Sequence, residues 1–526
     1  MKRLSVCAFF LVPALAFTAC TRPRPTPRSD PSATPPASAS AALGSPITLR
    51  ILFTSDEHGW VAPAVEKGRA RGGAPALLAR WRAHEGHCVP SQEKSCEEAA
   101  TLALSGGDNW TGPALSSFFK GEVAAESMRR LGYAASALGN HELDFGRAGF
   151  DRNAALEAFP YVGANVSPPL EEGGITRPFV LVKRSGVTVG VVGLAFKSTP
   201  KVGLRENYKG LAFSDEEDAL ASAVPAAWAA GADAVVVIAH VCAETLKPIV
   251  ARHPEWRLAF VGGGHCHKKS HAEIGGTPVV EAGAFLHEYI RATLSIDLAR
   301  PQRERVVSVH THVVDLTYPE NAPPALAPDA DEAALVATWQ EKTNAALGRV
   351  IGYTGETLDP DTPPLANFIT DRWREATSAD VAMLNRFATR QAIAKGPITL
   401  ETIYSVLPFD NRLVTMKLTG ADLIADVKCC QAHVSGVRAD AKGEIVLASG
   451  KPIDPAHVYK VVSTDYAYWG GSDFPFEKQD PGGVIGEDWR APLLRWLEEH
   501  PTREGTPLDA KLDHAARLPR PKVERH

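Results

Sequence analysis

Five short apolar runs between residues 48 and 261 each stop at a polar cluster, and the clusters resemble one another. Residues 48–54 lead into Ser55-Asp56-Glu57-His58-Gly59, and residues 101–104 into Ser105-Gly106-Gly107-Asp108-Asn109. Residues 134–138 lead into Gly139-Asn140-His141-Glu142-Leu143-Asp144. Residues 234–238 lead into Ala239-His240, and residues 258–261 into Gly262-Gly263-Gly264-His265-Cys266-His267. Apolar runs of this length, rich in β-branched residues and separated by helical-length segments, predict buried strands of an α/β layer fold. In open α/β sheets, ligands bind outside the carboxyl ends of strands. All five carboxyl ends here deliver Asp, Asn or His.

Asp56, His58, Asp108, Asn140, His240, His265 and His267 are seven oxygen or imidazole donors. If one carboxylate bridges, seven groups fill eight positions, four on each of two cations. Two ions about 3.5–4 Å apart form a site that clamps the attacking and leaving oxygens of phosphoryl transfer. Hard oxygens with imidazoles suit two divalent ions, Zn, Mn, Fe or Co, and the lack of thiolate ligands fits catalysis better than a structural site.

The set resembles the calcineurin-like metallophosphatases, with blocks Asp-x-His, Gly-Asp, Gly-Asn-His-Glu/Asp, His and Gly-His-x-His. Residues 139–146, Gly-Asn-His-Glu-Leu-Asp-Phe-Gly, are similar to the secreted 5′-nucleotidase/UDP-sugar hydrolase branch. The resemblance implies an α/β fold: an N-terminal four-layer αββα metallophosphatase sandwich, a linker helix and a smaller α/β C-terminal domain. It implies that Asp56, His58 and His267 hold the first metal, that Asn140, His240 and His265 hold the second, and that Asp108 bridges. It also implies a catalytic dyad. His141 follows Asn140, and Asp144 lies one helical turn on, placed to orient the imidazole beside a departing oxygen.

Beyond a turn-rich stretch and a helix at 331–347, the blocks from Gly348 to Leu508 resemble the 5′-nucleotidase C-terminal domain. That resemblance implies a substrate grip built from Asn367, Asn385, Arg390, Phe409, Asn411 and Tyr466. Phe409 and Tyr466 would sandwich a base, which tolerates different bases, and the Arg390 guanidinium suits phosphate. This chain departs from the family pattern. Asn385-Arg386-Phe387-Ala388-Thr389-Arg390 has lost two glycines, Asp410 replaces another, and Gly470-Gly471-Ser472-Asp473 moves or loses a ribose-contacting Asp. Side chains at 387 and 388 are expected to narrow or reshape the cleft.

Lys2 and Arg3 precede an apolar run and Phe17-Thr18-Ala19-Cys20, the layout of a secretory signal. The end of the run resembles a bacterial lipobox, which implies a lipid anchor on Cys20; cleavage elsewhere stays open. Residues 21–46, mostly Pro, Ser, Ala, Thr and Arg, read as a disordered tether. The expected organisation is signal 1–20, tether 21–46, dimetal domain 47–315, linker and linking helix 316–347, C-terminal substrate domain 348–512 and tail 513–526. Six further cysteines have no pairing legible from sequence, although Cys88 and Cys96 flank one polar loop. With 56 basic against 61 acidic residues, the chain lacks the basic excess of a nucleic-acid binder. The expectation is an exported, periplasmic or envelope-bound monomeric hydrolase. It would release phosphate from nucleoside 5′-phosphates or related small-molecule esters by attack of metal-bound water. Its alternatives are a non-nucleotide, cyclic-nucleotide, UDP-sugar or sulfur-bound substrate, or a weakly catalytic binding lipoprotein.

Overall fold

The computed structural model describes residues 46–66, 69–91, 95–318, 326–360 and 362–519. The signal, Cys20, nearly all of the tether, residues 319–325 of the linker and the last seven residues of the tail lie outside the described residues. No helix among the described residues is long and apolar enough to cross a membrane.

The first domain is built on twelve principal strands: β1 (Ile47–Thr54), β2 (Thr101–Ser105), β3 (Tyr133–Ala137), β4 (Tyr161–Val162), β5 (Phe179–Arg184), β6 (Val187–Leu194), β7 (Ala234–Ala239), β8 (Leu258–Gly263), β9 (Lys269–Ile274), β10 (Thr277–Ala282), β11 (Glu288–Ile296) and β12 (Val306–Asp315). They form two six-stranded sheets, ordered β12-β11-β1-β2-β3-β4 and β9-β10-β8-β7-β6-β5. Within the first sheet β1, β2 and β3 run parallel; within the second β7 and β8 do. Their carboxyl ends therefore emerge together. The five expected strands all form, with ends shifted by one or two residues.

Alternation along the strands explains the layering. Leu49, Ile51 and Phe53 of β1 join Ala234, Val236 and Ile238 of β7 in the core between the sheets. There Phe53 meets Phe260 edge-to-face at 5.6 Å. Leu52 points the other way, under helices that include α1 (Ala74–Arg80) and α2 (Glu122–Leu131). Val235 and Val237 face α3 (Glu216–Ala229) and α4 (Ala243–Arg252). The result is helix, sheet, sheet, helix, as the resemblance implied.

The linking helix α5 (Ala330–Leu347) is capped by Asp329, whose carboxylate accepts from the Glu332 amide, and it buries Val336 and Trp339 in the first domain's outer core. Beneath its first turn Glu332 is fully buried, accepts from the Ser127 hydroxyl and leaves its Oε2 without a hydrogen bond. Burial, reinforced by Asp329 and Glu126 and opposed by Ser127 and Arg130, pushes its pKa up to about 7. A carboxyl pKa raised on folding gives stability that is full below the ordinary value and lost as pH rises through the folded one. Wild-type protein should therefore lose roughly 2–3 kcal/mol more than Glu332→Gln between pH 4.5 and 7.5 in denaturant melts; parallel curves would contradict this.

The C-terminal domain has a five-stranded sheet ordered His433–Ser435, Val381–Leu384, Val458–Thr464, Arg412–Thr419, Val484–Asp488. Apolar cores lie on both its faces, one centred on Trp373, Trp489 and Leu493, the other on Leu423, Phe474 and Phe476. The helix that carries Asn367 begins at Pro363, where proline's fixed φ suits the first turn. Disulfides join Cys88–Cys96, Cys242–Cys266 and Cys429–Cys430. The second of these ties the loop after β7 to the loop after β8.

Candidate active site

The five strand ends converge. Asp56, His58 and His267 bring ligand atoms within 4.8 Å of one another, and so do Asp108, His240 and His265. His58 Nε2 lies 3.1 Å from His267 Nε2, and His267 Nε2 lies 3.4 Å from Asp56 Oδ1. On the other side His240 Nε2 lies 3.0 Å from Asn140 Oδ1 and 3.3 Å from His265 Nδ1. Asp108 stands between the groups, its Oδ2 at 3.0 Å from His240 Nε2 and 3.7 Å from His58 Nε2. All seven expected donors are thus brought together.

The local backbone is bent to do this. Asp56, His58, Asp108, His265 and His267 all have positive φ, between 46° and 74°. Non-glycine residues rarely adopt that region, and such strain gathers at functional sites. Gly139 permits the close approach of the third loop: a Cβ there would sit 2.2 Å from Asp108 Oδ1. Asp108 Oδ1 accepts from the His141 amide at 2.8 Å. Glu142 accepts from the Asp108 and Asn109 amides at 3.2 and 2.6 Å; burial and the Asp108 charge push its pKa up to about 8.

Whether this donor set fits cations follows from its hydrogen bonds. His58 Nδ1–H donates to the Thr111 carbonyl and His240 Nδ1–H to that of Gly106, at 2.7 and 3.0 Å. Each Nε2 then points inward, the orientation that outer partners impose on ligating histidines. His240 Nε2 confronts two oxygens at 3.0 Å, which repel an unprotonated nitrogen unless positive charge lies between. Burial works against the His240 imidazolium, yet Asp108 and Asp56 outweigh it and push its pKa up to about 10. The Asp56 and Asp108 carboxyls are held low, against burial, by His267 and His240 respectively. Burial instead keeps His58 well below its usual value. The Asp56, Asp108 and His240 groups favour positive charge at their centre, which divalent ions held there would supply in place of the proton.

His141 Nδ1 lies 2.7 Å from Asp144 Oδ2. The pair spans a non-helical turn rather than a helical one, because the following helix begins only at Gly146. Burial disfavours the His141 cation, but Asp144 and Asp108 together raise its pKa. Its other nitrogen, Nε2, lies 3.2 Å from Arg390 Nη2, and its ring stacks on Phe409 at 5.4 Å. Guanidinium only donates, so Nε2 accepts in this arrangement.

A cavity of about 480 Å³ opens over the cluster. Its first-domain wall includes Asn140, His141, Asp144, His265, His267 and Phe285; its second-domain wall includes Asn385, Phe387, Arg390, Phe409, Asn411 and Tyr466. Phe387 is 39% exposed and left-handed at φ 62°. Asp410 pairs with Lys120, Arg205 with Glu477 at 3.0 Å, and Ser405 Oγ accepts from the Ala114 amide at 3.0 Å, joining the two faces around the cavity.

Asn367 is the exception and corrects an expectation. It is buried outside the cavity, and its amide donates to the carbonyls of Asp513 and Ala515 at 2.8 and 3.0 Å. The helix turns it away from the cleft, where it fixes the C-terminal segment. Three contributors escaped the sequence: the Thr111 and Gly106 carbonyls, and Phe285. The Phe285 ring lies 5.2 and 5.7 Å from those of His267 and His58. Backbone carbonyls leave no side-chain signal, and a lone Phe beyond β10 has no motif. Glu142 stood in a recognised block, and its sequence position was the available signal.

Fold and site together give a two-domain α/β chain whose second domain matches a 5′-nucleotidase family and whose overall fold is shared with solved 5′-nucleotidases. Residues 344–479 match the family described as 5′-nucleotidase, C-terminal domain. Among particular relatives, endonuclease YhcR of Bacillus subtilis is 25% identical over 486 residues, covering 84% of this chain but only 38% of that protein. Protein UshA of Escherichia coli is 25% identical over 509 residues, covering 83% of this chain and 88% of UshA. The crystal structure of a 5′-nucleotidase precursor from Thermus thermophilus shares the fold, with a TM-score of 0.72, 23% identity and 90% and 99% of the two chains covered.

Proposed function

We propose that the protein is an exported dimetal phosphoesterase that hydrolyses nucleoside 5′-monophosphates or closely related phosphate esters. The observation that carries this is that the His141–Asp144 pair, the Arg390 guanidinium and the seven-donor cluster, through Asp108, Asn140, His265 and His267, meet at one cavity. Asp56, His58 and His267 would hold one ion, Asn140, His240 and His265 the other, and Asp108 both. Divalent ions held there would supply positive charge for the phosphoryl oxygens and a water acidic enough to react at neutral pH.

The chain's own residues supply the rest. Arg390 binds a phosphoryl oxygen and draws it toward His141. Once Arg390 has turned from that nitrogen to the phosphoryl group, His141, turned by Asp144 so that Nε2 faces the cavity, takes up a proton and donates a hydrogen bond or that proton at Nε2 to the leaving oxygen. Phe409 and Tyr466 grip the non-reacting end, with Tyr466 held by the Ser472 amide at 3.1 Å. Asn385 and Asn411 offer polar contacts to the sugar or base. Export, a lipid anchor on Cys20 and a monomeric body belong to the same proposal.

One observation favours a second substrate class. Phe387 and Ala388 wall the cavity, which fits a smaller or non-nucleotide ester better than a bulky purine. Phosphate release from a panel of 5′-monophosphates, a cyclic nucleotide, a UDP-sugar and simple phosphate esters, with Mn or Zn, decides between the two. The proposal expects a 5′-monophosphate to lead; no release from any ester would end it.

Phe387→Gly sharpens the comparison. Removing a bulky side chain from left-handed backbone should leave stability unchanged or raise it by about 1 kcal/mol. It should lower KM for purine monophosphates by roughly three- to tenfold. An unchanged KM would show that Phe387 does not shape the pocket.

A further inference from the structure

Cys429 and Cys430 form a disulfide between adjacent residues, at the carboxyl end of the helix Gly420–Cys429. A bridge closing so short a loop removes little freedom from the unfolded chain, so stabilisation does not explain it. It is also accessible: Cys429 is the only exposed cysteine among the described residues, and Cys430 is half-buried. A second cavity of about 310 Å³ lies against it, lined by Lys428, Cys429, Gln431 and Arg386 among others. Two cations there favour approach of an anionic thiolate.

The bridge and the residue after it touch both walls of the substrate cleft. Gln431, left-handed at φ 48°, accepts through Oε1 from Arg386 Nη1 at 2.9 Å. The Arg386 guanidinium lies 5.0 Å over the ring of Phe387, which lines the cleft. On the other side Cys430 Sγ lies 3.9 Å from the Asp473 carbonyl. Asp473 follows Ser472, whose amide holds the Tyr466 hydroxyl, and both residues are left-handed. The two loops that shape the non-reacting end of the site therefore rest on residues 429–431.

We propose that Cys429–Cys430 is a thiol–disulfide exchange site that sets the shape of the substrate cleft; its effect on turnover rests on the function proposed above. The reductant is a dithiol. One thiolate of the dithiol attacks Cys429 Sγ, and the Cys430 sulfur leaves and takes up a proton. The dithiol's second thiolate then attacks the mixed disulfide, releasing Cys429 as a thiol and the reagent as its own disulfide. Two electrons and two protons pass to the protein. The opened ring frees residues 429–431 from their turn, loosening Arg386 with Phe387 on one wall and Ser472 with Tyr466 on the other.

The test titrates the full chain with dithiothreitol, traps thiols by alkylation and maps them by peptide mass, with amide hydrogen exchange and kinetics on the same samples. Cys429 and Cys430 should be labelled at about tenfold lower dithiol than the four cysteines of the other two disulfides, Cys88–Cys96 and Cys242–Cys266. Exchange at residues 385–391 and 470–474 should then quicken by at least about threefold. KM for the best ester should rise roughly three- to tenfold with kcat within about twofold. The double variant Cys429→Ser/Cys430→Ser should show the reduced behaviour from the start and ignore mild dithiol. Earlier labelling of Cys88, Cys96, Cys242 or Cys266, or unchanged exchange once 429 and 430 are fully labelled, overturns the proposal. A KM response to mild dithiol that persists in the double variant also overturns it. Absence of turnover in every state instead sinks the phosphoesterase proposal, while labelling and exchange still decide the switch.

Discussion

Asp108→Ala is expected to lower kcat on the best phosphate ester by at least about 10³-fold. The reason is positional. Asp108 Oδ2 is the oxygen that faces His240 of one ligand group and His58 of the other, at 3.0 and 3.7 Å. Its second oxygen orders the His141 amide at 2.8 Å. On the proposed function, alanine removes the negative charge that two cations would share and frees the loop that carries His141. Asp108→Asn keeps the shape without the charge, so it should be nearly as inactive. Circular dichroism should show both variants folded, because the core between the sheets does not include Asp108. Wild-type activity in either variant would remove Asp108 from the chemistry.

His141→Ala should produce the second largest loss, about 10²- to 10⁴-fold in kcat, with KM changing far less. It should also leave the bound metal unchanged, which separates a proton-donating role from a ligand role. Asp144→Asn should lose less, roughly 10- to 100-fold, because it disturbs only the orientation of the ring held at 2.7 Å. A full loss of metal in His141→Ala would instead place that imidazole among the ligands. That outcome has a geometric basis, since His141 also brings a nitrogen within 4.8 Å of His58 and Asp108 ligand atoms.

The clustering of the seven donors in the first domain was legible because its signal is local. An apolar strand ending in Gly-Asn-His or Gly-His-x-His needs no distant partner to be recognised, and parallel pairing puts such ends side by side. The left-handed backbone at Asp56, His58, Asp108, His265 and His267 was not legible, because Asp and His carry no sequence mark for it as glycine does. Asn367 shows a different limit. A block position says which residue lies on a helix and leaves open which way it faces, and here it faces carbonyls 146 and 148 residues away. The stacking of Phe409 on His141 was likewise hidden, since it joins two domains whose contact no local pattern encodes.

The most direct test of the account is the metal content of the purified chain after loading with Mn or Zn and exhaustive dialysis. Elemental analysis should find two ions per wild-type chain and at most one in Asp108→Ala. Fewer than one ion in the wild type, or two in both, would contradict a cation pair held by a shared carboxylate.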